Sequence, residues 1–325
     1  MKISVVVCTY NGEKFIKEQL KSILEQSLKP NEIIICDDKS KDNTVIEAKK
    51  ILKFYDVPYR IEINKENLGV VKNFEKAIDL TTGDVIFLSD QDDIWNKKKI
   101  ELTIKEFDKD KSCVMVFSDA KLVNEKREKI GANLWETLNF SIEQFKNNNF
   151  LSILLNRCVV TGATMAIKRE LFDKTKPFQS FWIHDGWLAI NAPLYGSIKA
   201  IEKPLIEYRQ HNNNVIGAVK QNSFARLKKY LKNIKTLEDT REIRLNRYKI
   251  FYEFNFKKLD FKTKNEVLEC IKFWTDMVKL KKSRLGNGIL IILANLKNKN
   301  YKKYYTGLRG AIRDIVYLFF RKVDK

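Results

Sequence analysis

Val85-Ile86-Phe87-Leu88-Ser89-Asp90-Gln91-Asp92-Asp93 is an apolar run that ends, without a spacer, in three carboxylates. The run reads as a strand buried on both faces, and the end of a buried strand is a costly place for charge. Side chains at i and i+2 of extended backbone project to the same side, so Asp90 and Asp92 can share one hard cation through oxygen ligands. A divalent ion held there would in turn grip a diphosphate. A solvated acidic turn is the plainer reading of the same residues, and the rest of the chain decides between them.

Towards the amino terminus, Ile3-Ser4-Val5-Val6-Val7-Cys8-Thr9-Tyr10-Asn11-Gly12 is a second continuous apolar run, ending in small polar residues and a glycine. Such a run suits a parallel strand. Phe15, Ile16, Leu20, Ile23 and Leu24 then recur at helical spacing between Glu13 and Gln26, and Pro30 marks the end. Glu32 to Cys36 reads as the next strand, Thr44 to Phe54 as a helix, Tyr59 to Ile63 as a strand and Val70 to Leu80 as a helix. The order β-α-β-α-β-α-β implies a parallel sheet with right-handed crossovers. Its carboxyl edge, where open α/β sheets bind ligands, would carry Thr9 and Tyr10, Asp37-Asp38-Lys39-Ser40 and the aspartate cluster together.

These motifs, with Asp42 to Thr44, Asn67-Leu68-Gly69, Lys72-Asn73, His184-Asp185 and Tyr208-Arg209-Gln210-His211, resemble those of the family 2 glycosyltransferases over residues 1 to 217. The stretch Leu88-Ser89-Asp90-Gln91-Asp92-Asp93-Ile94-Trp95 is most similar to the rhamnosyltransferase-like branch. The resemblance implies a glycosyltransferase-A fold: a mostly parallel central sheet flanked by helices, followed here by a basic helical region. It implies that Thr9, Tyr10 and Asp38 hold the nucleotide base, although an Asp in that setting can equally cap a turn. Lys72 stands where the family usually has an arginine facing the nucleotide, and a lysine supplies charge without a bidentate fork. Asp90 and Asp92 match the aspartate-any-aspartate motif, with Asp90 toward the ribose or metal, and Mn2+ or Mg2+ fits all-oxygen ligation. A Lewis acid there would stabilise a nucleoside diphosphate leaving group.

By the same resemblance Asp185 is the general base that takes a proton from an acceptor hydroxyl, and one carboxylate suffices for a displacement that inverts the anomeric centre. His184, Trp182 and Trp187 flank it as candidate acceptor contacts, with ordinary core packing an equal reading for the two tryptophans. The chain has two histidines, and both lie in these motifs. His211 would complete a metal shell or, with Arg209, touch the diphosphate; a structural histidine is the alternative. Between cluster and base, Cys113 to Ser118 reads as a strand, Asp119 to Glu128 as a turn or hairpin, and Phe145 to Asn156 as a helix. Thr161 to Ile167 resembles the strand lining the acceptor side.

Charge divides the chain. Residues 1–219 carry 33 basic against 31 acidic side chains and residues 220–325 carry 28 against 10, so nearly all of the net +20 lies in the last third. Phe224 to Tyr252, Lys264 to Leu280 and Tyr301 to Lys322 interleave Lys and Arg with Leu, Ile, Phe, Tyr and Trp, which suits helices lying on an anionic membrane. A solvated basic bundle is the plain alternative, and no nucleic-acid-binding motif supports the polyanion reading. Ile289 to Leu296 is too short to span a bilayer. The expected organisation is a catalytic domain over 1–219, with a nucleotide-binding half to about residue 95 and an acceptor half beyond it. The basic region, 220–325, would serve peripheral membrane attachment or homodimerisation.

The five cysteines have no paired close spacing and read as reduced thiols. Met1-Lys2 leads straight into a strand with no signal-peptide pattern, so the expected location is the cytoplasm, at the inner face of the cell membrane. The expected reaction is inverting, metal-dependent transfer of a sugar, rhamnose from dTDP-rhamnose first. The acceptor would be a saccharide or lipid-linked saccharide of a surface polysaccharide. A sugar nucleotidyltransferase would show a Gly-rich basic phosphate loop after the first strand, and Thr9-Tyr10-Asn11-Gly12-Glu13 is not one. A non-catalytic polyanion-binding protein would tolerate alanine at Asp90, Asp92 and Asp185.

Overall fold

The computed structural model describes residues 1–211 and 234–321, with side chains described from residue 239 in the second stretch. The chain divides into two compact units. The first comprises residues 1–148, 159–178 and 183–219; the second comprises 149–158, 179–182 and 220–325.

In the first unit β1 (Ile3–Thr9), α1 (Ile16–Leu24), β2 (Glu32–Asp37), α2 (Thr44–Leu52), β3 (Tyr59–Ile63), α3 (Gly69–Asp79) and β4 (Val85–Ser89) alternate as the hydrophobic pattern requires. Every residue of β1 and β4 is buried. There follow β5 (Ile94–Trp95), α4 (Lys99–Lys109), β6 (Cys113–Ser118), β7 (Lys121–Val123), α5 (Leu134–Thr137) and α6 (Ile142–Asn147). After α7 (Phe150–Asn156), which belongs to the second unit, come β8 (Met165–Lys168), α8 (Arg169–Thr175), α9 (His184–Asn191), β9 (Ser197–Ile201) and β10 (Ile206–Arg209).

A seven-stranded sheet runs β3-β2-β1-β4-β8-β6-β9, parallel except for β8, which is antiparallel to both neighbours. Thr9 is in register with Asp37 and Val7 with Ser89, so the carboxyl ends of β1, β2 and β4 meet at one edge. The strand order reverses across β1, which makes that edge the ligand crevice of an open α/β sheet. A second, three-stranded sheet, β5-β10-β7, lies within the same unit. Its β5–β10 pairing, with Ile206 opposite Trp95, carries the Tyr208–His211 motif back to the aspartate cluster 116 residues earlier in the chain.

The second unit is helical: α7, then α10 (Ile234–Asn255), α11 (Phe261–Lys279), α12 (Leu285–Lys297), α13 (Asn300–Tyr304) and α14 (Leu308–Phe320). The Tyr248 hydroxyl donates to Leu155 O at 2.8 Å, and Phe273, Trp274, Tyr301 and Tyr304 fill the interior. A buried Arg241–Asp314 pair, with the Tyr301 hydroxyl also donating to Asp314 at 2.8 Å, forms its polar centre.

Several expected elements differ. The helix expected over 145–156 is two, because Asn149 caps the second by accepting from Leu151 N at 2.9 Å. Residues 162–164 form a 3-10 turn, so the strand expected over 161–167 begins only at Met165. Lys121–Val123 pairs with β10 rather than forming a full hairpin, with one bridge from Val123 to Lys129 closing the turn. The helix expected over 301–322 is broken where Gly307 takes φ +61°. The first part of the helix expected from Phe224 lies outside the described residues. All five cysteines are free.

Candidate functional site

The aspartate cluster occupies the short loop between β4 and β5. Gln91, midway along it, reaches across to β1: its Oε1 accepts from Tyr10 N at 2.8 Å and its Nε2 donates to Tyr10 O at 3.0 Å. This paired amide contact passes so close to Gly12 that a Cβ there would stand 2.1 Å from Gln91 Oε1. A side chain at position 12 would therefore displace the Gln91 amide from its two bonds to Tyr10. Asp92 Oδ2 lies 2.8 Å from His211 Nε2, and the His211 ring stacks on Phe15 at 4.9 Å. Asp93 Oδ1 accepts from Arg209 N at 3.0 Å.

Arg209 is buried, and its guanidinium is committed inside the protein. It donates to Asp92 O at 2.8 Å, Glu125 O at 2.6 Å and Glu18 Oε2 at 2.6 Å, and lies over the Phe15 ring. These bonds brace the loop that presents Asp92.

Asp185 sits in the first turn of α9. Its Oδ2 accepts from Gly162 N at 3.0 Å and its Oδ1 from Gly186 N at 2.6 Å, so the 3-10 turn fixes the carboxylate plane. His184 is buried, stacked on Phe74 at 3.9 Å with a 16° interplanar angle, and its Nε2 packs so close to Gly162 that a Cβ there would lie 2.7 Å away. Burial holds its imidazole in the neutral form by lowering its pKa. Trp187 is a core side chain whose Nε1 donates to Thr175 O at 2.8 Å, and Trp182 belongs to the helical unit, where its Nε1 donates to Arg247 O at 3.0 Å. For both tryptophans this geometry is that of packing.

The residues expected on the nucleotide side are divided in the same way. Asp38 is buried, and its carboxylate accepts from Leu68 N at 2.7 Å, Asn64 Nδ2 at 2.9 Å and Gly69 N at 2.9 Å. It thus holds the start of α3, where Gly69 takes φ +77°, a conformation that favours glycine. A carboxylate has about four acceptor positions, so one remains beyond these three donors. The Thr9 hydroxyl donates to Asp37 Oδ2 at 2.7 Å, Tyr10 presents an exposed ring at the crevice edge, and Lys72 pairs with Glu75 at 2.5 Å. Asp38→Ala should destabilise the fold by about 2–3 kcal/mol through the lost cap and its charged hydrogen bonds, read by chemical denaturation.

The electrostatics of the cluster are those of crowded carboxylates. Burial, reinforced by the charges of Asp92 and Asp185, pushes Asp90 up to about 7. Burial and the charges of Asp92 and Asp90 raise Asp93 well above the usual carboxylate range. Facing them is Lys99, buried against the Trp95 ring at 3.9 Å and donating to Ala163 O at 2.5 Å. Burial lowers its pKa to about 7, while Asp93 and Asp90 act to raise it. Lys99→Met should cost about 1–3 kcal/mol in a denaturation experiment, because Ala163 O loses its buried donor and the carboxylates lose their cation.

Among the described residues no three His, Cys, Asp or Glu side chains are gathered closely enough to hold a metal ion by themselves. The Asp92–His211 pair beside a half-buried Asp90 nevertheless suits a hard cation whose remaining ligands are water and phosphate oxygens. Magnesium commonly takes one or two carboxylates in this way.

Gln91, Lys99 and Gly162 were not singled out by sequence reasoning. Gln91 is the intervening residue of the aspartate-any-aspartate motif, and Lys99 follows two further lysines, Lys97 and Lys98. The available signal for Lys99 was its i, i+4, i+8 spacing with Thr103 and Phe107, both buried on α4.

An open α/β sheet with an aspartate loop at its carboxyl edge has the architecture of the glycosyltransferase-A fold. The profile of the family described as Glycosyl transferase family 2 matches residues 4–175, and the chain belongs to that family. It is 33% identical over 226 residues to dTDP-rhamnosyl transferase RfbG of Shigella flexneri, covering 65% of this chain and 74% of that one. It is 26% identical over 233 residues to UDP-Glc:alpha-D-GlcNAc-diphosphoundecaprenol beta-1,3-glucosyltransferase WfgD of Escherichia coli, covering 70% and 83%. Other relatives are matched over 66% of their length. The crystal structure of S. aureus TarS 1-349 in complex with UDP-GlcNAc shares the fold, with a TM-score of 0.55 and 16% identity over 94% of this chain and 89% of that one.

Proposed function

We propose that this glycosyltransferase moves a sugar from a nucleoside diphosphate donor, dTDP-rhamnose first among candidates, to a saccharide of a surface polysaccharide with inversion at the anomeric carbon. The observation that carries the reading is the gathering of carboxylates: the charges of Asp92 and Asp185 both act on Asp90, with Asp92 already paired to His211 at 2.8 Å. Asp185, oriented by the Gly162 and Gly186 amides, accepts the proton of the acceptor hydroxyl. The acceptor oxygen then attacks the anomeric carbon from the side opposite the departing diphosphate. Asp92, His211 and Asp90 would hold Mn2+ or Mg2+, which when bound supplies positive charge to the diphosphate oxygens. Tyr10 offers its exposed ring to the base, and the remaining acceptor position of Asp38 can take one base N–H. The relation to RfbG supports the choice of donor sugar.

A cleft of about 600 Å3 opens beside Asp119, just past the end of β6, lined in part by Trp135, Phe140, Glu136, Lys129 and Glu202. None of its lining residues belongs to the motifs above. Its exposed Lys129, Glu136 and Glu202 are groups that hydrogen-bond sugar hydroxyls, while Trp135 and Phe140 are buried, and the cleft is a candidate acceptor subsite. A lipid-linked saccharide, presented at the inner membrane face, is the acceptor class that joins this reading to the basic carboxyl-terminal region.

The test is a panel of radiolabelled nucleotide sugars incubated with enzyme, Mn2+ and extracted lipid-linked saccharides. Transfer from dTDP-rhamnose alone supports the reading in full, transfer from another donor corrects the sugar, and transfer from none overturns it.

A further inference from the structure

The helical unit turns apolar stripes outward. α12 has no charged residue from Leu285 to Leu296; Gly288, Ile292 and Asn295 face inward, with Gly288 packed so closely that a Cβ would lie 2.7 Å from Leu318 of α14. Its outer face presents Leu290 and Leu293. On α14 the inward face is Ala311, Asp314, Tyr317 and Leu318, and the outer one is Leu308, Ile312, Phe319 and Phe320. These six outer side chains are each between 52% and 67% exposed. Both helices therefore satisfy their interior and still offer large apolar groups to the outside.

Charge around the stripes has one sign. Residues 281–321 contain ten Lys and Arg and one acidic side chain, Asp314, which is buried and paired with Arg241. Lys282 and Arg284 precede α12, and Lys297, Lys299, Lys302 and Lys303 follow its apolar stretch. Leucines and phenylalanines rimmed by basic residues complement a surface that is apolar just beneath an anionic layer.

We propose that the outer faces of α12 and α14 lie in the headgroup region of an anionic bilayer, with the flanking lysines and arginines on lipid phosphates. This rests on the proposed function and deepens it, since it names the surface on which a lipid-linked acceptor would be met. The helices do not span: among the described residues none is long and apolar enough to cross a membrane, and a 13-residue helix is about 20 Å long. A second copy of the chain fits less well, because a two-fold contact would set like charges against each other. Nucleic acid would leave the central leucines and phenylalanines without a partner.

The experiment is sedimentation of the full chain with vesicles of phosphatidylcholine alone or with about 30% phosphatidylglycerol, alongside size-exclusion chromatography and nucleotide titration. The expected result is binding to the anionic vesicles that falls at least tenfold in Leu293→Glu/Phe319→Glu, and separately in Lys297→Glu/Lys299→Glu/Lys302→Glu. Nucleotide affinity and melting temperature should stay unchanged in both. Wild-type protein that stays in the supernatant with anionic vesicles would overturn the proposal. So would an apolar-face variant that loses self-association while its vesicle binding is unaltered. Because nucleotide binding is read independently, either failure would leave the transferase reading standing.

Discussion

Asp185→Asn is expected to lower kcat by about 10²–10⁴-fold, the usual contribution of a general base, while nucleotide affinity changes less than about threefold. The substitution is nearly isosteric, and the carboxylate it replaces is held by two backbone amides, Gly162 N and Gly186 N, at the start of α9. An asparagine can keep one oxygen on one of these donors but has no basic lone pair for the acceptor proton. The loss should therefore appear in kcat with little change in the donor KM. Steady-state kinetics together with calorimetric titration of the nucleoside diphosphate separate the two quantities. A parallel fall in nucleotide affinity would move Asp185 from the proton to the donor.

Asp92→Ala should do the reverse and weaken metal-dependent nucleotide binding at least tenfold, to the level the wild type shows with EDTA. In the proposed site the side chain would give one ligand oxygen, and it contacts His211 at 2.8 Å, so its loss would remove one ligand and loosen another. Asp90 adds a pH dependence whose sign is fixed. Its carboxyl stands at about 7 rather than the ordinary 3.8, so in the metal-free protein the folded state holds a proton that the unfolded chain has released. Between about pH 4 and 7 the folded state thus binds more protons, and stability falls as pH rises through that window. A bound cation competes with this proton. Metal affinity should therefore increase with pH up to about 7 and then level, which titration of Mn2+ at a series of pH values checks.

The amino-terminal part of the fold was legible because β1, β2 and β4 are buried and mostly apolar, and because helices at 3.6-residue spacing separate them. Breaks within helices were harder to see. Asn148-Asn149 and Thr306-Gly307 end helices inside stretches whose hydrophobic spacing continues past them, and periodicity alone carries across such points. The site was legible as a set of motifs but less so as a set of roles. A carboxylate such as Asp38 looks the same in sequence whether it faces a ligand or a helix start, and Arg209 looks the same whether it faces a phosphate or Glu18. Which neighbours saturate a polar group is decided by residues distant in the chain: Leu68 and Gly69 for Asp38, Glu125 and Glu18 for Arg209. Lys99 was hidden for the opposite reason, since a buried lysine at the junction of a basic run and an amphipathic helix carries no compositional mark.

In the proposed site the Asp90–Asp92–His211 group binds the diphosphate of a sugar donor through a divalent cation. Calorimetric titration of wild-type protein with dTDP, in Mn2+ and then in EDTA, tests it most directly. The expected result is saturable binding in Mn2+ that weakens at least tenfold in EDTA, and equally weak binding by Asp92→Ala in either buffer. Equal affinity of the wild type in both buffers, unchanged by Asp92→Ala, would contradict it.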